Sequence, residues 1–242
     1  NKLEELYNQK GNVTGIPTGF IDFDKKTAGL HNSDLIILAA RPAMGKSAFA
    51  VNIATNVAVR SKVPVVIFSL EMSKEQVVNR ILCSEAMVDS NKVRTGQLDD
   101  SDWVKLATTV GTISEAPMYI DDSSDINIMQ IRTKCRKLKA EKNIGLIVID
   151  YLQLIQGTGK KNATRENEIS EISRSLKILA KEIDVPVIAL SQLSRGTEKR
   201  ENKVPMLSDL RESGSIEQDA DIVAALHAPE VEAPIQDNLP VP

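Results

Sequence analysis

Leu35-Ile36-Ile37-Leu38-Ala39-Ala40-Arg41-Pro42-Ala43-Met44-Gly45-Lys46-Ser47 is the segment around which the rest of the chain can be ordered. Its uninterrupted apolar opening predicts a strand buried on both faces. A short loop follows, and from Lys46 the apolar residues recur at helical spacing. Strand, glycine-containing loop and helix start together make a phosphate cradle. Unpaired N–H groups of the loop and of the first helical turn converge there, and the helix dipole favours negative charge. In such a P-loop the cradle is Ala43, Met44, Gly45, Lys46, Ser47 and Ala48. Lys46 reaches the β and γ oxygens of a nucleoside triphosphate, and the Ser47 hydroxyl ligates Mg2+. The pattern asks for glycine where Ala40 stands, a position that alanine fills if its φ is negative. A chance Gly-Lys-Ser at a helix start is the bland alternative, and the strand before it and the helix after it count against that.

Three more apolar runs have the same character: Val65-Val66-Ile67-Phe68, Leu146-Ile147-Val148-Ile149 and Val185-Pro186-Val187-Ile188-Ala189-Leu190. Charged stretches with helical periodicity separate them, over 46–60, 74–87, 99–115, 127–141 and 166–183. Buried strands alternating with helices predict an α/β fold, a mostly parallel twisted sheet with helices on both faces. Open sheets of this kind bind ligands at the C-terminal ends of their strands. Asp150 closes one run and so projects from that edge, where a carboxylate completes a Mg2+ site. It could also cap a helix, but Tyr151-Leu152-Gln153-Leu154 does not read as a helix start. Glu71 follows the Val65–Phe68 run and could polarise an attacking water. On position alone it serves equally as an acid near a helix beginning at Ser73. Gln192 ends the last run, where an amide can bond a γ-phosphate or simply be a polar strand end.

The chain has 242 residues and is 42% hydrophobic, enough for one sizeable core, with only 3% aromatic residues. A net charge of −3 argues against a broad basic face for nucleic acid, so any such contact must come from a few local groups repeated by symmetry. Cys83 and Cys135 are far apart and read as buried thiols in a reducing compartment. His31 and His227 are isolated, short of a zinc ligand set. No apolar run approaches the ~20 residues of a membrane span, and the first residues do not form a signal peptide, which leaves the cytoplasm as the expected location. Residues 1–14 read as the remnant of a linker helix, 15–226 as the globular unit, and 227–242 as a Pro-rich acidic tail. Gly157-Thr158-Gly159-Lys160-Lys161-Asn162 reads as a polar surface loop.

Taken together, these segments resemble the RecA-like motor domain of the DnaB-type bacterial replicative helicases. The matching wording is Gly15-Ile16-Pro17-Thr18-Gly19-Phe20, 40–47, 68–73, 148–154, 191–195 and Asp209-Leu210-Arg211-Glu212-Ser213-Gly214-Ser215-Ile216-Glu217-Gln218-Asp219-Ala220-Asp221. The resemblance implies an ATP-dependent DNA helicase, with ATP and Mg2+ as ligands and alanine tolerated at position 40. Lys46, Ser47 and Asp150 would hold phosphate and metal, Glu71 would be the catalytic base, and Gln192 the γ-phosphate sensor. Arg80 resembles the arginine lying against the adenine, although a solvated helix-face charge would look the same. Arg211, with main-chain N–H groups near Glu212 and Gly214, would hold the backbone of single-stranded DNA. Implied partners are five further copies in a homo-hexamer, a primase and a helicase loader, at replication forks on the nucleoid.

The wording departs from the family at about Ala224. A strand, and a later segment carrying an arginine finger, are expected to be missing, as is the primase-binding amino-terminal domain. Slow hydrolysis by the chain alone is the corresponding expectation, since such a finger contributes ~10³–10⁵ in rate. A filament-forming recombinase and a non-enzymatic nucleotide-gated assembly module are the rival readings. The 211–221 wording and the Gly15–Phe20 segment favour the helicase over the first, and Glu71 together with Gln192 disfavours the second.

Overall fold

The computed structural model describes residues 13–157, 164–194, 204–213 and 216–227. The expected linker helix, all but two residues of it, the Lys160–Lys161 loop and the tail beyond His227 lie outside these. Among the described residues six strands form one sheet: β1 (Leu35–Ala40), β2 (Val65–Ser69), β3 (Met118–Asp121), β4 (Leu146–Asp150), β5 (Val187–Gln192) and β6 (Ile222–Leu226). Their spatial order is β3-β2-β4-β5-β1-β6, and every pairing is parallel. The α-helices among the described residues are α1 (Ile21–Thr27), α2 (Lys46–Val59), α3 (Lys74–Ala86), α4 (Ser90–Thr95), α5 (Asp100–Ser114), α6 (Ile128–Lys142), α7 (Arg165–Ile183) and α8 (Ile216–Asp219).

The strand pleat sorts successive side chains into two cores. Leu35, Ile37 and Ala39 of β1 pack with Ile131 and Cys135 of α6 and with Ile172, Leu176 and Leu179 of α7. Ile36 and Leu38 face the other way, onto Ala50, Ile53, Ala54 and Val57 of α2 and Val77 and Ile81 of α3. Helices therefore cover both faces, and each buried Leu, Ile or Val contributes ~1.5–3 kcal/mol relative to exposure. In α7 the buried positions Ile169, Ile172, Ser173, Leu176, Leu179 and Ala180 follow the helical period, and the Thr164 side chain caps the first turn. Among the described residues, no helix is long and apolar enough to cross a membrane.

Two strands correct the sequence reading. β3 went unrecognised because its four residues are only half buried at the sheet edge. The strand expected to be missing after Val223 is present: β6 runs on to Leu226 and pairs with β1 from Ile36↔Ile222 to Ala40↔Leu226. Ala224, Ala225 and Leu226 suit a strand whose residues are at most half covered, whatever their departure in wording. The short helices α1, α4 and α8 were also unforeseen; α4 buries none of its residues and so leaves no periodic signal.

Both cysteines are buried. Burial, aided by the Asp121 carboxylate, pushes the Cys135 thiol up to about 12, and burial with Asp89 raises Cys83. Because the thiolate is the nucleophile, Cys135 should react with iodoacetamide at pH 8 on the order of 10³-fold more slowly than a free thiol. Mass spectrometry before and after guanidinium unfolding checks this; labelling of Cys135 in the folded chain at the free-thiol rate would contradict it.

Candidate active site

Strand order brings the chemistry together. β4, β5 and β1 are adjacent, with β2 beyond β4, so four strand ends meet along one edge. Ala40 lies in register with Gln192, and Ser69 with Asp150. Ala40 is a fully buried strand residue, so alanine is conformationally suitable at the head of the loop.

The loop that follows turns through two left-handed residues, Ala43 with φ 65° and Gly45 with φ 77°. A Cβ on Gly45 would meet nothing within 4 Å, so it is the backbone conformation that asks for glycine there. Gly45 caps α2, and its carbonyl accepts from the Phe49 amide at 2.9 Å. The Phe49 ring packs on Phe20 at 4.4 Å and on Phe23 at 6.2 Å between centroids. Further along α2, Asn56 donates through Nδ2 to the Thr18 carbonyl at 2.9 Å, and Thr18 is held by the buried Asp24 carboxylate. The Gly15–Phe20 segment thus clamps the helix that presents the loop. On the other side Arg41 Nη1 donates to the Leu193 carbonyl at 2.8 Å, and the Leu193 amide donates to the Ala40 carbonyl at 3.0 Å.

These elements enclose a cleft of about 530 Å³. Ala40, Arg41, Pro42, Ala43, Gly45, Lys46, Ser47, Ala48, Glu71, Arg80, Tyr151 and Gln192 line it. The structure therefore brings together Lys46, Ser47, Glu71, Arg80 and Gln192 from separate stretches of sequence. Met44 belongs to the loop but not to the cleft wall; its amide donates to the Arg41 carbonyl at 3.4 Å. Lys46 Nζ rests 4.3 Å from the centre of the Tyr151 ring. Burial pulls the Lys46 pKa below its ordinary value, while the nearby Asp150 and Glu71 carboxylates oppose that shift. Burial also raises the Tyr151 phenol, reinforced by the same two carboxylates.

Asp150 is 5% exposed, and its Oδ1 is buried without a hydrogen-bond partner. An orphaned buried carboxylate oxygen is costly unless something completes its coordination. No cluster of three or more His, Cys, Asp or Glu suited to a metal lies among the described residues. Mg2+ needs no such cage, since it is commonly held by one or two protein oxygens together with substrate phosphates and water. One carboxylate at Asp150 and one hydroxyl at Ser47 fit that donor set. After Asp150 the chain enters a 3-10 turn, Leu152–Leu154, not an α-helix.

Glu71 is exposed at the mouth of the cleft. The capping box of α3 consists of Ser73 and Gln76, and the acid in its first turn is Glu75. Glu71 therefore stands outside the helix start that offered the alternative account of it. Ser69 closes the intervening turn by donating to the Met72 carbonyl at 2.7 Å.

Arg211 and Glu212 belong to a second 3-10 turn, Leu207–Ser213, while their side chains and Gly214 lie outside the described residues. The turn is docked to the end of β5: the Ser194 amide donates to the Asp209 carbonyl at 3.0 Å, and Asp209 and Leu210 are buried. Sequence reading missed Arg41 and Tyr151 as parts of this site. The position of Tyr151, an aromatic immediately after the Asp150 carboxylate, was an available signal; the contact of Arg41 is with distant Leu193 and left none.

A P-loop on β1, a carboxylate at the end of β4, one strand beyond β5, and a parallel sheet covered on both faces define a nucleotide-binding domain of the RecA-like class. The family model for the DnaB-like helicase C terminal domain matches residues 15–239, reaching past the change of wording at Ala224. The chain belongs to that family. It is 57% identical over 227 residues to the replicative DNA helicase DnaC of Bacillus subtilis (strain 168), covering 94% of this chain and 50% of that protein. It is 58% identical, with the same coverages, to the replicative DNA helicase DnaB of Geobacillus stearothermophilus. Among solved structures, a DnaB-like replicative helicase studied for its interactions with primase superposes with a TM-score of 0.90 at 40% identity, over 98% of this chain and 57% of that one. A separately solved ATPase domain gives the same score and identity, covering 98% of this chain and 85% of that one. The chain spans about half the length of the curated relatives it matches.

Proposed function

We propose that this chain is the ATP-hydrolysing motor domain of a replicative DNA helicase, moving along single-stranded DNA as part of a homo-hexameric ring. The observation that carries the reading is the convergence of Lys46, Ser47, Glu71, Arg80 and Gln192 on one cleft beside the unpartnered Asp150 oxygen. In this reading the loop amides and Lys46 hold the triphosphate, and Arg80 lies against the base. Ser47 and Asp150 are the residues that would hold Mg2+, which when bound neutralises phosphate charge. Glu71 accepts the proton of the attacking water as its oxygen forms a bond to the γ-phosphorus, while the bond from that phosphorus to the β–γ bridging oxygen breaks and ADP leaves with the electron pair. Gln192 bonds the γ-phosphate and senses its departure, and its place at the end of β5 leads through Ser194 and Asp209 to the turn carrying Arg211. A primase and a helicase loader are the protein partners that this role calls for, at the replication fork.

Arg211 and nearby amides would grip phosphates without reading bases, which suits a motor that must pass any sequence. With about one phosphate neutralised per subunit, an acidic monomer binds weakly, and only repetition around a ring makes the grip firm. Fluorescence anisotropy with labelled oligo-dT and a mixed-sequence strand tests this. Affinity should be salt-sensitive, independent of sequence, and stronger when an ATP analogue and high protein concentration promote assembly. Arg211→Ala should weaken it for both strands and flatten the logarithmic salt slope by ~0.7 per engaged subunit, with nucleotide binding intact. Tight binding by a demonstrable monomer, or a strong base preference, would contradict the reading.

A further inference from the structure

β4 and β5 pair only as far as Ile149↔Ala189, whereas β5 stays paired with β1 through Ala40↔Gln192. The last residues of β5 are therefore laddered on one side alone, and Gln192 sits at that half-supported end. The Gln153 side chain reaches into the open side. The Gln153 carboxamide donates through Nε2 to Ser191 Oγ at 3.1 Å and to the Gln192 carbonyl at 3.5 Å, and its Oε1 accepts from the Gln192 amide at 3.4 Å. A carboxamide presents the same donor and acceptor as a peptide group, so Gln153 imitates the missing strand by engaging both backbone groups of Gln192. Gln153 is itself braced: Leu152 beside it is fully buried, and Arg165 Nη2 donates to the Gln153 and Ile155 carbonyls at 2.8 and 3.2 Å.

We propose that Gln153 is a positioning residue that fixes the Gln192 backbone relative to the Asp150–Tyr151 segment, and so sets the aim of the γ-phosphate sensor. This rests on the proposed sensor role of Gln192. Without the brace, Gln192 is held only from the β1 side, and its side chain loses a fixed origin from which to meet the third phosphate. Nucleotides lacking that phosphate should be indifferent to the change. A purely structural role for Gln153 would instead weaken ADP and ATP binding alike.

The test is the ratio of affinities for a non-hydrolysable ATP analogue and for ADP, by calorimetry with Mg2+ present. Gln153→Leu, close in volume, should lower the preference for the ATP analogue about tenfold, near the lower range of what a hydrogen bond to a charged group contributes, with ADP affinity within about twofold. Gln153→Asn keeps the polarity of this half-buried position but shortens the reach by about 1.5 Å, and it carries the same prediction should the leucine variant fail to fold. Gln192→Ala should produce the same loss, and adding Gln153→Leu to it should cost nothing more. If Gln192→Ala lowers the preference while neither Gln153 variant does, or if the two losses multiply, the positioning role is wrong and the sensor reading stands. If Gln192→Ala itself leaves the preference unchanged, the sensor reading fails and the positioning role with it.

Discussion

Replacing Glu71 by glutamine is expected to leave ATP binding within a few-fold of the native chain and to slow phosphate release by ~10²–10⁴, the range for a positioned acid–base group. The substitution keeps the size and much of the hydrogen-bonding capacity of the side chain and removes only the base. It should not disturb the fold, because Glu71 is exposed and α3 is capped by Ser73 and Gln76 without it. The same observation weakens the competing account, in which a carboxylate here serves the helix dipole, because the first turn already carries Glu75. Steady-state phosphate release beside a fluorescent nucleotide titration separates the two quantities. Native turnover in the variant would reduce Glu71 to a surface acid beside the cleft.

Lys46→Ala should act on binding instead. It deletes a partly buried cation at the mouth of the α2 dipole, with an expected loss of ~10²-fold in affinity for ATP, in line with losing a charge-assisted hydrogen bond in a sheltered site. Lys46 lies over the Tyr151 ring and is attracted by Asp150 and Glu71, so part of the loss is offset by those contacts in the native chain. Burial holds the Lys46 pKa below the ordinary lysine value, so the fraction of charged lysine declines earlier than for a free side chain as pH rises. Native ATP affinity should accordingly begin to fall on the alkaline side before ordinary lysines titrate, at about pH 10.4, and Lys46→Ala should lack that limb. Unchanged affinity in a folded Lys46→Ala chain would remove the P-loop assignment.

The strands that proved legible were those buried on both faces. Continuous runs such as Leu146–Ile149 admit no other role between two polar boundaries, and the helices between them were bounded by caps such as Asn127 and Thr164. β3 and β6 were lost because they border the sheet, where half-covered residues need no continuous apolar run. The site was legible where local order dictates geometry. Lys46 and Ser47 open a helix one short loop after a strand, and Asp150 and Gln192 end strands, so a parallel sheet brings them to one edge. Glu71 remained ambiguous in one dimension because its distance from the cleft and the true cap of α3 are facts of three dimensions. The brace from Gln153 to Gln192 spans 39 residues of sequence and depends on where β4 and β5 stop pairing, which no local pattern encodes.

Phosphate release from ATP with Mg2+ present, followed across a titration of oligo-dT, joins the cleft to the strand it is proposed to move along. Turnover should rise with oligo-dT, rise equally with a mixed-sequence strand of the same length, and vanish in Lys46→Ala. Turnover that ignores added single-stranded DNA, or that survives Lys46→Ala, would contradict a DNA-driven motor working through this site.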